Sequence, residues 1–179
     1  MQQLFSDWAT LNNDKLLETY YSNHPNLVDP DEIRKLFEPL GYDGSNVVAF
    51  KKAAKPITNK IFKQLCKKAK SEGNPTITLL SGAPGSGKSF ATSTMKADLD
   101  KRGVVYDRPF NKFSELEQAI KQAKSYGIKD VQVVAVYNDA EQAWKNCLSR
   151  GKRAKNGVSR FVPLGFFVDS FSDNAGKIA

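Results

Sequence analysis

Gly82-Ala83-Pro84-Gly85-Ser86-Gly87-Lys88-Ser89 is the stretch that decides the fold. It follows the apolar run Thr76-Ile77-Thr78-Leu79-Leu80-Ser81, which Gly73-Asn74-Pro75 punctuates upstream, so the order is strand, loop, helix. The spacing G-x-x-x-x-G-K-S gives each residue type a separate task. Small residues let the backbone of residues 82–89 turn tightly enough to aim successive N–H groups at phosphate oxygens. The following helix, expected from about Lys88 to Lys101, adds the positive end of its dipole. Lys88 is expected to reach the β- and γ-phosphates, and the Ser89 hydroxyl to sit on Mg²⁺. A bare glycine turn would need neither the lysine nor the serine in register, so the pattern predicts a site for a nucleoside triphosphate.

Reading outward, strand and helix alternate after Pro75. Gly103-Val104-Val105-Tyr106-Asp107 reads as a buried strand, Ser114 to Tyr126 as an amphipathic helix closed by Gly127, Val131 to Tyr137 as a strand and Ala140 to about Leu148 as a helix. Alternation of this kind predicts an α/β fold with a parallel sheet flanked by helices, which with the loop at 82–89 would be P-loop-like. Upstream lies a helical N-terminal region, residues 1–72. A helix is expected from about Ser6 to Tyr21, and Asn26-Leu27-Val28 is a candidate for a very short strand. Asp29-Pro30-Asp31-Glu32 is a helix start, with Asp29 at the cap and Pro30 at the first helical position. That helix should run from Pro30 to about Phe37, and a longer helical pattern, broken at Pro56, covers about Ser45 to Lys70.

The chain has 179 residues, of which 40% are hydrophobic, enough for one core, and the expectation is a single domain over 1–179. Within it, residues 73–168 carry the phosphate loop, strands and lid, and 169–179 form a polar tail. Apolar runs are too short to span a membrane and no secretory signal is visible, so a cytoplasmic protein is expected. Cys66 and Cys147 lack metal-ligand spacing and, with a single histidine at His24, read as ordinary free thiols.

The formal net charge is +8. Lys51, Lys52, Lys55, Lys60, Lys63, Lys67, Lys68 and Lys70 form a stretch without an acid, opposed on a helical pattern by Ile57, Ile61, Phe62 and Leu65. They read best as a solvated helix face. A second basic run comprises Lys145, Arg150, Lys152, Arg153, Lys155 and Arg160. Ligands of parallel sheets bind beyond the carboxyl ends of the strands, which draws attention to Asp107. An acid there can hold Mg²⁺ through water or orient a substrate hydroxyl. Asp139, ending the next strand, reads as a helix cap.

Taken together, Val104 to Asp107, the helix Ser114 to Tyr126, the strand Val131 to Tyr137, Asp139-Ala140-Glu141-Gln142-Ala143-Trp144, Arg150 and Arg160-Phe161-Val162-Pro163 resemble the second half of the zeta toxin family of P-loop kinases. The resemblance covers about residues 75 to 168. It implies ATP- or GTP-dependent, Mg²⁺-dependent transfer of a phosphoryl group to a hydroxyl of a small nucleotide-like acceptor such as UDP-N-acetylglucosamine, and an antitoxin-like partner. Arg150 and Arg160 match the family's two lid arginines, whereas Trp144 and Phe161 read as packing residues.

One departure from the family stands out. The family places a strand ending in an Asp-x-Asp-x-x-Arg-like segment between the phosphate-loop helix and the strand matching Val104 to Asp107, and here that segment is missing. Asn26-Leu27-Val28-Asp29-Pro30-Asp31-Glu32-Ile33-Arg34 resembles it but precedes the phosphate loop, which implies a circularly permuted arrangement. Asp31 is then the expected general base, with Arg34, one turn on, pairing with it or contacting substrate. The alternatives are plain helix capping by this acidic turn, a polynucleotide or dinucleotide kinase, and a non-catalytic nucleotide-binding module.

Overall fold

The computed structural model describes residues 2–44, 46–110, 112–152 and 162–175. Four strands form one all-parallel sheet: β1 (Leu27–Val28), β2 (Thr76–Ser81), β3 (Val104–Asp107) and β4 (Asp130–Ala135), in the order β1-β3-β2-β4. Register sets Leu27 against Val105, Leu80 against Asp107, and Ser81 against Ala135. All four carboxyl ends therefore open onto one edge.

Side-chain alternation along the strands divides the core between the two faces of the sheet. Ile77, Leu79, Val104 and Tyr106 enter the large cluster, which runs from Ala9 to Ile128, while Leu80 and Val105 join Leu99 on the opposite face. The large cluster is built on the helices α1 (Gln2–Leu11), α2 (Asn13–Asn23), α3 (Pro30–Lys35), α4 (Val47–Ser71) and α7 (Phe113–Ser125). After α5 (Lys88–Thr94), the second face is covered by Met95 and by Leu99 of α6 (Lys96–Leu99). Beyond β4, α8 (Ala140–Lys152) packs on α9 (Leu164–Ala175) through Ala143, Cys147 and Phe167, with Trp144 and Phe167 rings 5.0 Å apart. The tail expected from residue 169 is thus helical as far as Ala175.

Three helical expectations are corrected, two by local hydrogen bonding and one by packing. The helix expected over Ser6 to Tyr21 is two helices, because Asn12 leaves the helical region and turns its amide onto the Trp8 carbonyl at 2.9 Å. The helix expected from about Lys88 to Lys101 breaks at Met95, where Thr92, Ser93 and Thr94 direct hydroxyls at the Lys88 and Phe90 carbonyls. Conversely, α4 runs unbroken through Pro56. Proline at a helix interior costs about 3 kcal/mol, but Pro56 lies on the exposed face, where water can serve the carbonyl that it leaves unpaired. On the other face Phe50, Ala53, Ala54, Ile57, Ile61, Phe62, Leu65 and Ala69 are buried. Burying each large apolar side chain contributes about 1.5–3 kcal/mol, so packing outweighs the break. The α4 lysines are exposed or half-exposed, as a solvated face requires.

Gly127 closes α7 in the left-handed region (φ +99°), its N–H donating to the Lys124 carbonyl at 3.0 Å. Both cysteines are buried outside any disulfide, and burial pushes the Cys66 thiol up to about 12. Among the described residues no helix is long and apolar enough to cross a membrane, and no cluster of histidine, cysteine and acidic side chains could hold a metal ion.

Candidate active site

The loop from Gly82 to Gly87 turns out of β2 at the open edge of the sheet. Gly85 (φ +77°) and Gly87 (φ +94°) occupy the left-handed region that favours glycine. At Gly82 a Cβ would lie 2.7 Å from Ser86 Oγ and 2.8 Å from the Val136 carbonyl, and at Gly85 it would run into the Ala143 carbonyl of α8. Close approach explains the first glycine, and both approach and conformation explain the second. Ser86 N–H donates to the Ala83 carbonyl at 3.1 Å, and Asn146 Nδ2 on α8 donates to the Gly85 carbonyl at 2.9 Å. Among the described residues Ser86 Oγ is buried without a hydrogen-bond partner.

Lys88 opens α5 and forms an ion pair with Asp107, which ends the neighbouring strand in register with Leu80. Both side chains are about four-fifths buried, at 21% and 18% exposure. On the far side of β3, the end of β1 delivers Asp29. Its carboxylate caps α3, accepting from Asp31 N–H at 2.7 Å, while its own N–H donates to the hydroxyl of buried Tyr20 at 3.0 Å. Burial pushes the Asp29 carboxyl up to about 7; the charge of Asp107 pushes the same way, and Lys88 only partly offsets them. Asp29, Asp107 and Lys88 thus share one electrostatic neighbourhood.

Asp31, in the first turn of α3, pairs with Arg34 and remains 40% exposed. Arg34 is the more buried partner, at 11% exposure. Glu32 turns elsewhere, to Lys35 at 2.7 Å and toward His24 at 3.8 Å. Asp139 caps α8 as expected, accepting from the N–H groups of Glu141 and Gln142. The exposed Ser89 follows Lys88 directly. Arg150 lies within α8, where its backbone is described, whereas Arg160 and Phe161 fall outside the described residues.

Two features of this site escape a sequence reading. Asp29 reads as a cap and nothing more, because its burial against Asp107 and Lys88 depends on the pairing of β1 with β3. Ala143, Asn146 and Cys147 place α8 against the loop, and Arg150 occupies the next position of the same i, i+3, i+4, i+7 stripe. Small and polar residues on one helical face were the signal available.

The raised Asp29 carboxyl makes stability depend on pH. The folded group keeps its proton to about pH 7, whereas its unfolded value is 3.8, so folding takes up a proton between them. Stability falls as pH rises through that window and levels off above it; the full shift corresponds to about 4 kcal/mol, an upper bound for a residue retaining some water. An asparagine in place of Asp29 would still cap the helix, so urea unfolding should show Asp29→Asn more stable than wild type at pH 8 and with a flatter pH dependence. Identical pH profiles would contradict the assignment. In the loop, Gly85→Ala should cost about 1–3 kcal/mol from the left-handed backbone alone and displace α8, seen as a lowered Tm in thermal unfolding.

No protein-family model and no curated protein sequence matches the chain.

Proposed function

We propose that the protein is a phosphotransferase of zeta toxin type, moving the γ-phosphoryl group of ATP or GTP to a hydroxyl of a small nucleotide-like acceptor. The observation that carries this reading is the convergence of the phosphate-loop lysine, Asp107 and the Asp29–Asp31 turn at one sheet edge. A permuted arrangement accounts for it. β1 pairs with β3 on the side away from the phosphate-loop strand, so a segment that comes early in the chain supplies acids beside a loop that comes later.

Each residue has a role that its surroundings support. Lys88 exchanges its pairing with Asp107 for the β- and γ-phosphate oxygens when nucleotide arrives. Ser89 and the released Asp107 offer hard oxygen donors suited to Mg²⁺, which when bound neutralises charge on the phosphate oxygens. Asp31 is the general base. Its pairing with Arg34 anchors the carboxylate in the turn, and its 40% exposure leaves it open to an acceptor. Asp29 is half-buried and engaged as a cap, which suits it to holding the turn. In the transfer step Asp31 takes the acceptor's hydroxyl proton as that oxygen bonds to the γ-phosphorus. The bond from the γ-phosphorus to the bridging oxygen breaks, and the nucleoside diphosphate leaves. Arg150, on the helix seated against the loop, is proposed to meet the charge that develops, with Arg160 as its companion.

Incubating the protein with γ-labelled ATP, Mg²⁺ and pools of nucleotide sugars, dinucleotides and oligonucleotides tests the reading. Label is expected in the nucleotide-sugar pool. Label in the oligonucleotides would favour a polynucleotide kinase instead, and tight ATP binding without any transfer would favour a non-catalytic nucleotide-binding module.

A further inference from the structure

The helix that follows β4 does more than lie near the phosphate loop. Ala143 is fully buried, and its carbonyl fills the space that a side chain at Gly85 would need. Cys147 Sγ would lie 2.9 Å from such a Cβ. Between these two packing contacts, Asn146 makes a polar one, donating Nδ2 to the Gly85 carbonyl at 2.9 Å. Its Oδ1 accepts from Gln142 Nε2 at 3.1 Å, one turn earlier on the same helix. That second bond orients the amide: with Oδ1 taken by a donor, Nδ2 is the group facing the loop.

A phosphate loop works by turning its N–H groups inward, which requires its carbonyls to turn outward and find donors of their own. The Ala83 carbonyl is served within the loop by Ser86 N–H. The Gly85 carbonyl, at a glycine whose φ of +77° leaves it free of side-chain restraint, is served from outside by Asn146. Arg150 stands four residues further along α8, one turn on. We infer that Asn146 is a positioning residue: it holds the Gly85 carbonyl outward, presetting the loop for phosphate, and fixes the helix bearing Arg150 to the loop that Arg150 would serve. This inference rests on the nucleotide-binding part of the proposed function.

The test is the affinity for ATP, by titration calorimetry on the full chain, of wild type, Asn146→Ala and Asn146→Asp, with Tm recorded for each. Asn146→Ala is expected to bind ATP about tenfold more weakly, which corresponds to about 1.4 kcal/mol. Its Tm should change little, because a partly exposed hydrogen bond is lost without opening a cavity. Asn146→Asp, nearly identical in shape, is expected to bind more weakly still. It can no longer donate to the Gly85 carbonyl, and it adds a negative charge beside the phosphates. A role in helix packing alone would spare the aspartate variant, since its volume is conserved. ATP affinities within twofold of wild type for both variants would overturn the inference while leaving the nucleotide site standing. Failure of the wild-type protein to bind ATP would overturn the nucleotide-binding reading itself, and the inference with it.

Discussion

Lys88→Ala is expected to reduce phosphoryl transfer by at least about 10³-fold, at the upper end of what one preorganised electrostatic contact contributes to a transition state. Loss should extend to nucleotide affinity, since in the proposed complex the ammonium would contact the β- and γ-phosphates in the ground state as well. The ligand-free protein should register the change too. Lys88 is the cation paired with Asp107, and it is also what moderates the raised Asp29 carboxyl. Without it two largely buried acids face each other, so the Asp29 carboxyl should climb further and the loss of stability with rising pH should extend to higher pH. Rapid-quench measurement of product, with urea unfolding at several pH values, reads both effects. Retained turnover would refute the kinase reading outright.

Asp31→Asn is expected to lower kcat by about 10²–10⁴-fold, the usual contribution of a positioned general base, while ATP affinity stays near that of wild type. The comparison with Asp29→Asn is what gives this prediction its force. Both residues belong to one turn, and both replacements keep size while removing charge. Asp29 is half-buried and engaged as a cap, so its replacement should act on stability and the pH profile. Asp31 is paired with Arg34 and open to solvent, so its replacement should act on turnover. If Asp29→Asn abolished transfer and Asp31→Asn did not, the base would be Asp29 and the assignment within the turn would be reversed.

Much of this arrangement can be read from the chain because it is encoded locally. The glycine-rich turn from Gly82 to Gly87, the Asp29 cap with Pro30 behind it, the Asp139 cap and the Gly127 terminus each depend on a few adjacent residues whose conformational demands are specific. The strand at Leu27–Val28 was marked by composition alone, and two residues suffice because β3 completes its hydrogen bonding. What could not be read was decided at long range. Pro56 breaks a helical pattern by every local rule, yet α4 continues because its buried face packs over most of its 25 residues. The Met95 break is the local exception, set by which carbonyls three or four residues back the hydroxyls of Thr92, Ser93 and Thr94 reach. The shifted Asp29 carboxyl and the Asn146 contact with Gly85 join residues distant in sequence, 61 positions apart in the second case, and no spacing rule spans such a gap.

The central claim is spatial: an acidic turn from before the phosphate loop faces the γ-phosphate held by it. A structure of the complex with Mg²⁺ and a non-hydrolysable ATP analogue measures this directly. The account predicts Lys88 Nζ withdrawn from Asp107 and within about 3 Å of β- and γ-phosphate oxygens, with the Asp31 carboxylate on the γ-phosphate side and room for an acceptor hydroxyl between them. Nucleotide bound away from residues 82–89, or Asp31 turned away from the γ-phosphate, would contradict it.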